Sequence, residues 1–329
     1  MIKIDNLSRH YGDFKAVDKV SSTIQRGEVV GLLGHNGAGK TTIMKMITGF
    51  LEPTSGSIHI DDLKIGENTA QIQQRIGYLP ENCPVWSEMT VIDYLEFQAH
   101  LHNVPEAEIQ KAVARAIRRT ALKEKATQTI QKLSRGYRQR VGVAQAILHD
   151  PDIIILDEPT NGLDPTQISQ MRSLIAELAQ SATVIISTHI LQEVQAVCER
   201  VLIMRAGKLV VDATLDELQA GHQLRVILDN AQAADYLKKI SGVESLQSIS
   251  SENEHTHYLL EASADVAPAI ATAIVEAGDQ LYGLQSEVRN LESVFAEVNA
   301  NLDAELAQLT TSTSTIPDKK QSQTQQEVA

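Results

Sequence analysis

The sequence is poor in cysteine and in long apolar runs. Only two cysteines occur among its 329 residues, Cys83 and Cys198, too few and too far apart for a disulfide framework. Such cysteine usage suits a reducing compartment. No apolar run approaches the roughly 20 residues that a membrane-spanning helix needs, and the opening residues MIKIDNLSRH lack the apolar core of a signal peptide. We therefore expect a cytoplasmic protein in which any membrane role works through a partner.

The sequence also lacks an excess of basic residues. It has 29 Lys and Arg against 42 Asp and Glu, which gives a formal net charge of -13. Because bulk positive charge supplies most non-specific affinity for nucleic acids, we expect no nucleic-acid partner. The hydrophobic content of 43% suffices for one large domain or for a core domain with a smaller companion. The second arrangement is favoured.

Short apolar runs alternate with helical patterns over roughly the first 215 residues. EVVGLL (28–33), DIIILD (152–157) and TVIIS (183–187) are predicted to be buried strands. Residues 1–28 alternate apolar and polar side chains, as half-buried antiparallel strands do, and residues 90–125 follow a helical period. These patterns predict an α/β fold with a mainly parallel sheet, an N-terminal antiparallel β subdomain and a helical subdomain.

The pattern changes after Gly221. Strand, helix, two strands, helix and strand follow in that order, which predicts a small α+β domain of the ferredoxin-like type, and LESVFAEVNANL adds a last helix. We assign residues 221–302 to this accessory domain. Residues 303–329 are polar and of low complexity, so they are predicted to be a disordered tail.

A phosphate-binding loop follows the first buried strand. GHNGAGKTT (34–42) fits the pattern G-x-x-x-x-G-K-[ST], and a helical pattern begins directly after it. Glycines let backbone N–H groups close around the α- and β-phosphates, Lys40 reaches the β- and γ-phosphates, and the Thr41 hydroxyl binds Mg²⁺. The predicted nucleotide contacts are Gly34, Asn36, Gly37, Ala38, Gly39, Lys40, Thr41 and Thr42.

Two other strand ends carry the remaining catalytic candidates. Asp157 closes DIIILD and is predicted to hold the magnesium shell. Glu158 follows at once and could accept a proton from the attacking water, although a helix-capping acid before a proline is the alternative. His189 ends VIISTH. A histidine at a strand end is often structural, but here a hydrogen bond to the γ-phosphate or the water is favoured. Glu158, His189 and Lys40 are the predicted catalytic residues.

Five motifs stand in a fixed order along the chain: the phosphate loop, LSRGYRQR (133–140), ILDEPT, NGLDP and STH. In this order and at these separations they resemble the ATP-binding subunit of an ABC transporter, over roughly residues 1–215. The resemblance implies an ABC-type P-loop NTPase fold at residues 1–220, with a helical subdomain at about 82–145. It also implies ATP hydrolysis, with ATP and Mg²⁺ as cofactors.

The same resemblance implies that one chain carries two half-sites and no complete site. Ser134 and Gly136, in the signature loop, would bind the γ-phosphate held by a second copy, in a head-to-tail homodimer around two ATP molecules. Asp164 would lie at the dimer contact. Tyr11 would stack on adenine, and a buried tyrosine on an edge strand is the alternative for that residue.

Two departures from the common family pattern narrow the subfamily. Glu81 replaces the usual glutamine of the loop that senses the γ-phosphate. It is a candidate metal ligand beside Thr41 and Asp157, although a carboxylate close to that phosphate would repel it. Arg135 and Tyr137 replace the commonest glycine and glutamine of the signature. With GYLPE and the appended small domain, these residues resemble the ATPases of ABC-2 type exporters, of the gliding-motility, drug-resistance or copper-processing kind.

We therefore expect the ATPase motor of an ABC-2 exporter, peripheral on the inner face of the cell membrane and driving a separate multispanning permease. The alternative is a soluble ABC-type ATPase that acts as a mechanical switch on ribosomes or DNA. Two fused ATPase copies or a long coiled coil would favour that alternative, and the sequence has neither. A nucleotide sensor without turnover is a third possibility, which the joint presence of Lys40, Asp157, Glu158 and His189 disfavours.

Overall fold

The computed structural model describes residues 1–219, 222–252, 255–288 and 291–296. Met1–Leu291 form one compact unit, so the boundary near residue 220 stays a prediction. The predicted tail at 303–329 lies outside the described residues, and so does the end of the predicted last helix.

The secondary structure of the first 219 residues alternates between strands and helices. In chain order it comprises β1 (Ile2–Tyr11), β2 (Phe14–Ile24), β3 (Val29–Leu33), α1 (Lys40–Ile47), β4 (Ser55–Ile60), β5 (Leu63–Lys64), α2 (Thr69–Gln73), β6 (Ile76–Leu79), α3 (Val91–Leu101), α4 (Glu106–Arg119), α5 (Arg135–Ala146), β7 (Ile153–Asp157), α6 (Pro165–Ala179), β8 (Thr183–Thr188), α7 (Leu191–Val197), β9 (Arg200–Arg205), β10 (Lys208–Thr214) and α8 (Leu215–Gln219).

These strands form two sheets. The first is antiparallel, with the order β2-β1-β4-β5, and the second has the order β10-β9-β3-β8-β7-β6, in which β10 alone is antiparallel. Every residue of β3, β7 and β8 is buried, as their continuous apolar runs predict. Because these strands are parallel neighbours, their carboxyl ends meet at one edge of the sheet. That edge brings the phosphate loop, Asp157, Glu158 and His189 together.

Helices α3, α4 and α5 lie between β6 and β7 in the sequence and form the helical part of this region. Thr90 caps α3, since its hydroxyl accepts a hydrogen bond from the backbone N–H of Asp93. The apolar face of α4 is buried through Ile109, Val113 and Ile117, while its charged residues face outward. None of the helices in the described ranges combines the length and hydropathy that crossing a bilayer requires.

The region after residue 221 forms a separate four-stranded sheet. Its elements are β11 (His222–Leu228), α9 (Ala234–Leu237), β12 (Val243–Glu252), β13 (His255–Ala262), α10 (Ala267–Ala277) and β14 (Leu281–Val288). The strand order β12-β13-β11-β14 with antiparallel pairing is that of a ferredoxin-like fold, as predicted. Its core includes Val226, Tyr258, Leu260 and Ile270. Helix α9 is shorter than the apolar pattern predicts.

Candidate nucleotide-binding and catalytic site

The phosphate loop connects β3 to α1, and its glycines are required by the backbone. Gly37 and Gly39 have φ angles of 82° and 105°, a region that side-chain-bearing residues rarely adopt. A Cβ atom at Gly39 would lie 2.5 Å from the carbonyl oxygen of Ala16, and one at Gly34 would lie 2.5 Å from that of Met204. The loop therefore packs against neighbouring backbone on one side while residues 35–37 remain exposed on the other.

Lys40 is the first residue of α1, and its side chain is only 6% exposed. Its ammonium group donates a hydrogen bond to the carbonyl oxygen of Gly34 at 2.6 Å. The same nitrogen lies 3.7 Å from Oε1 of Glu158. These contacts hold the cation between the start of the loop and the strand-end carboxylate, where an incoming phosphate can replace the carbonyl as its partner.

Asp157 is the last residue of β7 and is buried. Its Oδ1 accepts a hydrogen bond from the Ser187 hydroxyl on the neighbouring strand. Its Oδ2 is buried and has no hydrogen-bond partner among the described residues. A buried carboxylate oxygen without a partner is unfavourable unless a cation or its water shell approaches it, so Asp157 fits a magnesium-shell ligand.

Glu158 has a φ angle of 49°, unusual for a residue with a side chain, and its N–H donates to the Ser187 carbonyl at 3.1 Å. Its side chain is 7% exposed, and its Oε2 lies 2.9 Å from Nδ1 of His189. Burial raises the pKa of Glu158, and the hydrogen bond with His189 opposes this shift. A carboxyl group in such surroundings holds a proton more readily than an exposed glutamate, as a general base must.

A cavity of about 400 Å³ opens over the loop and brings most of the predicted nucleotide contacts together. Tyr11 lines it and is 49% exposed, with the guanidinium of Arg9 4.8 Å from the ring centre. The alternative of a buried Tyr11 is therefore wrong. Phe14, which was not among the residues predicted from the sequence, lines the same cavity. The predicted residues that line it are Tyr11, Asn36, Gly37, Gly39, Lys40, Thr41, Thr42, Glu81, Glu158 and His189.

Ser134, Gly136 and Asp164 do not line this cavity in the described part of the chain. Ser134 is exposed and caps α5, since its hydroxyl accepts a hydrogen bond from the N–H of Tyr137 at 3.4 Å. Asp164 is also exposed and caps α6 through the N–H of Gln167 at 2.9 Å. A Cβ atom at Gly136 would collide with the Gln167 side chain. Ser134 and Asp164 thus lie on a second exposed surface outside the nucleotide cavity, whereas Gly136 is buried against Gln167.

Three polar side chains behind the site were not predicted from the sequence. Ser187 joins Asp157 to Glu158, as described above, and Thr160 and Glu193 are hydrogen-bonded to each other in the interior. Hydroxyl residues near strand ends are common, so no local signal identifies them. Phe14 could have been found, because it pairs directly with Tyr11 across the β1–β2 hairpin.

A phosphate loop after a central parallel strand, a buried lysine and carboxylates at the neighbouring strand end define a P-loop nucleoside triphosphatase. Within that class, the ABC transporter family model matches residues 17–161. The ATP-binding protein NatA of Bacillus subtilis (strain 168) is 38% identical over 224 residues, covering 66% of this chain and 91% of NatA. The chain therefore belongs to the ABC transporter family, and it is an ATP-binding, ATP-hydrolysing subunit of that family.

Two further similarities extend this result. The linearmycin resistance ATP-binding protein LnrL of Bacillus subtilis (strain 168) is 28% identical over 309 residues, which cover 90% of this chain and 97% of LnrL. The similarity to LnrL thus continues beyond the ATPase region. Among solved structures, the dimeric bacterial ABC transporter cassette MJ0796 has a TM-score of 0.61 at 26% identity, covering 65% of this chain and 99% of the cassette. The predicted family, fold class and ATPase activity are confirmed.

Proposed function

We propose that the chain is the ATPase motor of an ABC-2 type exporter, which dimerises head-to-tail around two Mg-ATP and drives a separate permease at the inner membrane face. The observation that carries this proposal is the separation of the two half-sites. The phosphate loop opens into one cavity, while Ser134 and Asp164 lie on another, exposed surface beside the buried Gly136. In a head-to-tail dimer, that surface of each copy would cover the nucleotide of its partner.

The residues around the cavity then take distinct roles. Lys40 and the amides of the phosphate loop would bind the phosphates, with Tyr11 against the adenine. Thr41, Asp157 and Glu81 are the candidate ligands of Mg²⁺, which when bound would neutralise charge on the transferring phosphoryl group. The described residues contain no cluster of three His, Cys, Asp or Glu that could hold a metal ion unaided. Binding through one carboxylate and nucleotide oxygens is typical of Mg²⁺.

Glu158 would act as the general base in the proposed reaction. Its carboxylate would accept a proton from water as the water oxygen attacks the γ-phosphorus and the bond to the β–γ bridging oxygen breaks. His189 would orient Glu158 through Nδ1, at the observed 2.9 Å, and offer its second ring nitrogen to the γ-phosphate. Lys40 would stabilise the charge that develops on the phosphoryl oxygens.

A groove of about 860 Å³ supports the proposed permease contact. It lies beside the loop that contains Pro80 and Cys83, and its lining includes Phe50 and Leu101, which are 70% and 61% exposed. Large apolar side chains this exposed at a groove are typical of protein–protein contacts. A short amphipathic helix of a membrane subunit fits such a groove, because its apolar face can cover these residues.

The test of this proposal is a pull-down of the tagged protein from gently solubilised membranes, with and without ATP. Recovery of a multispanning membrane protein without its own nucleotide site is expected. We predict that Phe50→Ser lowers this recovery severalfold, since one buried aromatic contact is worth about 1–2 kcal/mol or more. Val275→Ser is the matched control, because Val275 is equally exposed but lies on α10, outside the groove. Recovery of ribosomes or DNA-bound proteins instead would favour the mechanical-switch alternative.

A second prediction concerns Glu81. If Glu81 is a magnesium ligand, Glu81→Gln replaces a charged oxygen ligand by a neutral one. The Mg²⁺ concentration for half-maximal ATP hydrolysis should then rise by roughly tenfold, equivalent to about 1.4 kcal/mol of binding free energy. The measurement is a magnesium titration of phosphate release at saturating ATP. Glu88→Gln, an exposed change nearby in the chain, is the control. An unchanged magnesium dependence would exclude Glu81 from the ligand set.

A further inference from the structure

Glu193 is a buried carboxylate to which the motifs assign no role. It lies in the first turn of α7 and is 4% exposed. Its Oε1 accepts a hydrogen bond from the Thr160 hydroxyl, and its Oε2 accepts one from the Thr188 hydroxyl at 2.9 Å. No Lys, Arg or His forms an ion pair with Glu193 in the part of the chain that the structure describes. Two hydroxyl groups therefore supply the hydrogen bonds of a carboxyl group that has been removed from water.

The two threonines belong to the two segments that carry the proposed catalytic pair. Thr160 is two residues after Glu158, and Thr188 directly precedes His189. Both threonines are buried. The Thr188 hydroxyl also accepts a hydrogen bond from the N–H of Ile190 at 3.1 Å, so its own proton is directed to Glu193. Glu193 thus connects the segment after β7 to the segment after β8.

Helix α7 gives this connection a rigid base. It packs on the central strand β3 so closely that a Cβ atom at Gly31 would lie 2.9 Å from a methyl carbon of Val194. The segment after β7, which Glu193 holds, needs such support because Glu158 has the unfavourable φ angle of 49° noted above. A buried charge without a cation does not stabilise a fold better than an apolar side chain of similar size would. The contacts of Glu193 are therefore better explained by a role in holding the catalytic site than by a contribution to the stability of the fold.

We propose that Glu193 is a positioning residue for ATP hydrolysis, which fixes the distance between Glu158 and His189 by binding the hydroxyl groups of Thr160 and Thr188. A carboxylate suits this task because it offers an acceptor oxygen to each hydroxyl, whereas an amide offers one acceptor and one donor. The inference rests on the proposed roles of Glu158 and His189 in hydrolysis.

The test is Glu193→Gln in the full chain, which keeps the shape of the side chain and removes one acceptor. We expect kcat to fall about 10- to 100-fold, as is typical when a supporting hydrogen bond behind a site is lost. The KM for ATP and the affinity for ATP should change by less than about twofold, because the phosphate loop is untouched. Glu199→Gln removes the same charge from an exposed position six residues on and is the matched control. A wild-type kcat for Glu193→Gln would overturn the inference.

Two further measurements separate positioning from a general loss of structure. In a His189→Ala background, Glu193→Gln should lower kcat much less than in the wild type, because the pair that it positions is already broken. An equal fold-reduction in both backgrounds would contradict the inference.

If Glu193→Gln fails to fold, Thr160→Val and Thr188→Val each remove one hydroxyl at constant shape, and a wild-type kcat in both variants would overturn the inference. Glu158→Gln is measured in parallel: if that variant keeps its activity, the proposed function of the site fails instead.

Discussion

Replacing Glu158 by glutamine is expected to lower the kcat of ATP hydrolysis by about 10²- to 10⁴-fold, or about 3 to 5 kcal/mol in activation free energy. The amide keeps the size of the side chain but cannot accept a proton from water. Binding of ATP should persist, since the phosphate-loop amides and Lys40 are unchanged. The variant should therefore accumulate as an ATP-bound dimer, whereas the proposed wild-type dimer should dissociate after each turnover.

The measurement combines steady-state phosphate release with light scattering after gel filtration, in the presence of ATP and Mg²⁺. Glu199→Gln, which neutralises an exposed carboxylate, should behave as the wild type in both assays. Hydrolysis at the wild-type rate by Glu158→Gln would remove Glu158 from the role of base. Loss of ATP binding would show instead that the substitution disturbs the phosphate loop, to which Glu158 is connected through Lys40 at 3.7 Å.

The same variant should not be less stable than the wild type. Burial raises the pKa of Glu158, so folding disfavours its ionised form. A carboxyl group whose pKa is raised by folding lowers the stability of the folded state as the pH rises above the pKa of that group in the unfolded chain. This loss of stability is present at neutral pH. Glutamine removes the cost of burying an ionised carboxylate. Thermal unfolding of the variant without nucleotide should therefore occur at the wild-type temperature or a higher one. Stability sacrificed for activity is a common property of catalytic residues.

Local patterns were sufficient to predict the centre of the site. The phosphate loop could be identified because its glycines, its strand and its helix are contiguous in the chain. Asp157 and His189 could be placed beside it because buried parallel strands end at the same edge of a sheet. The ferredoxin-like module was predictable for a similar reason, since its strands and helices alternate in a pattern that few topologies accommodate.

Contacts between distant residues could not be predicted in this way. The left-handed backbone of Glu158 depends on Ser187, and the buried position of Glu193 depends on Thr160, thirty-three residues earlier. Neither pairing has a signal in the local pattern, because a hydroxyl residue can serve as a cap, a turn residue or a buried donor. The position of Ser134 away from the phosphate loop was likewise expected only through resemblance to a family. The periodicity of apolar residues shows which residues are exposed, but it does not show on which side of the protein they lie.

Substitution of Ser134 by arginine is expected to abolish ATP-dependent dimerisation and, with it, nearly all hydrolysis. Ser134 is exposed at the N-terminus of α5, a helix of 12 residues whose first N–H groups favour an anion. In the proposed dimer the partner's γ-phosphate lies against this helix end, where an arginine side chain leaves no room. ATP binding to the chain's own phosphate loop should change by less than about threefold, or about 0.7 kcal/mol, because Ser134 does not line that cavity.

Two companion variants separate exclusion of the partner from loss of the helix cap. Ser134→Asp retains a side-chain acceptor for the N–H of Tyr137 but places a negative charge toward the phosphate, so it should also prevent dimerisation. Thr90→Ala removes the equivalent cap of α3, which costs about 1 kcal/mol of stability, and should still dimerise. The oligomeric state is measured by light scattering with ATP in the Glu158→Gln background, because hydrolysis is then too slow to dissociate the dimer. If Ser134→Arg and Ser134→Asp both dimerise as Glu158→Gln alone does, the exposed surface around Ser134 does not bind the partner's nucleotide, and the head-to-tail arrangement is wrong.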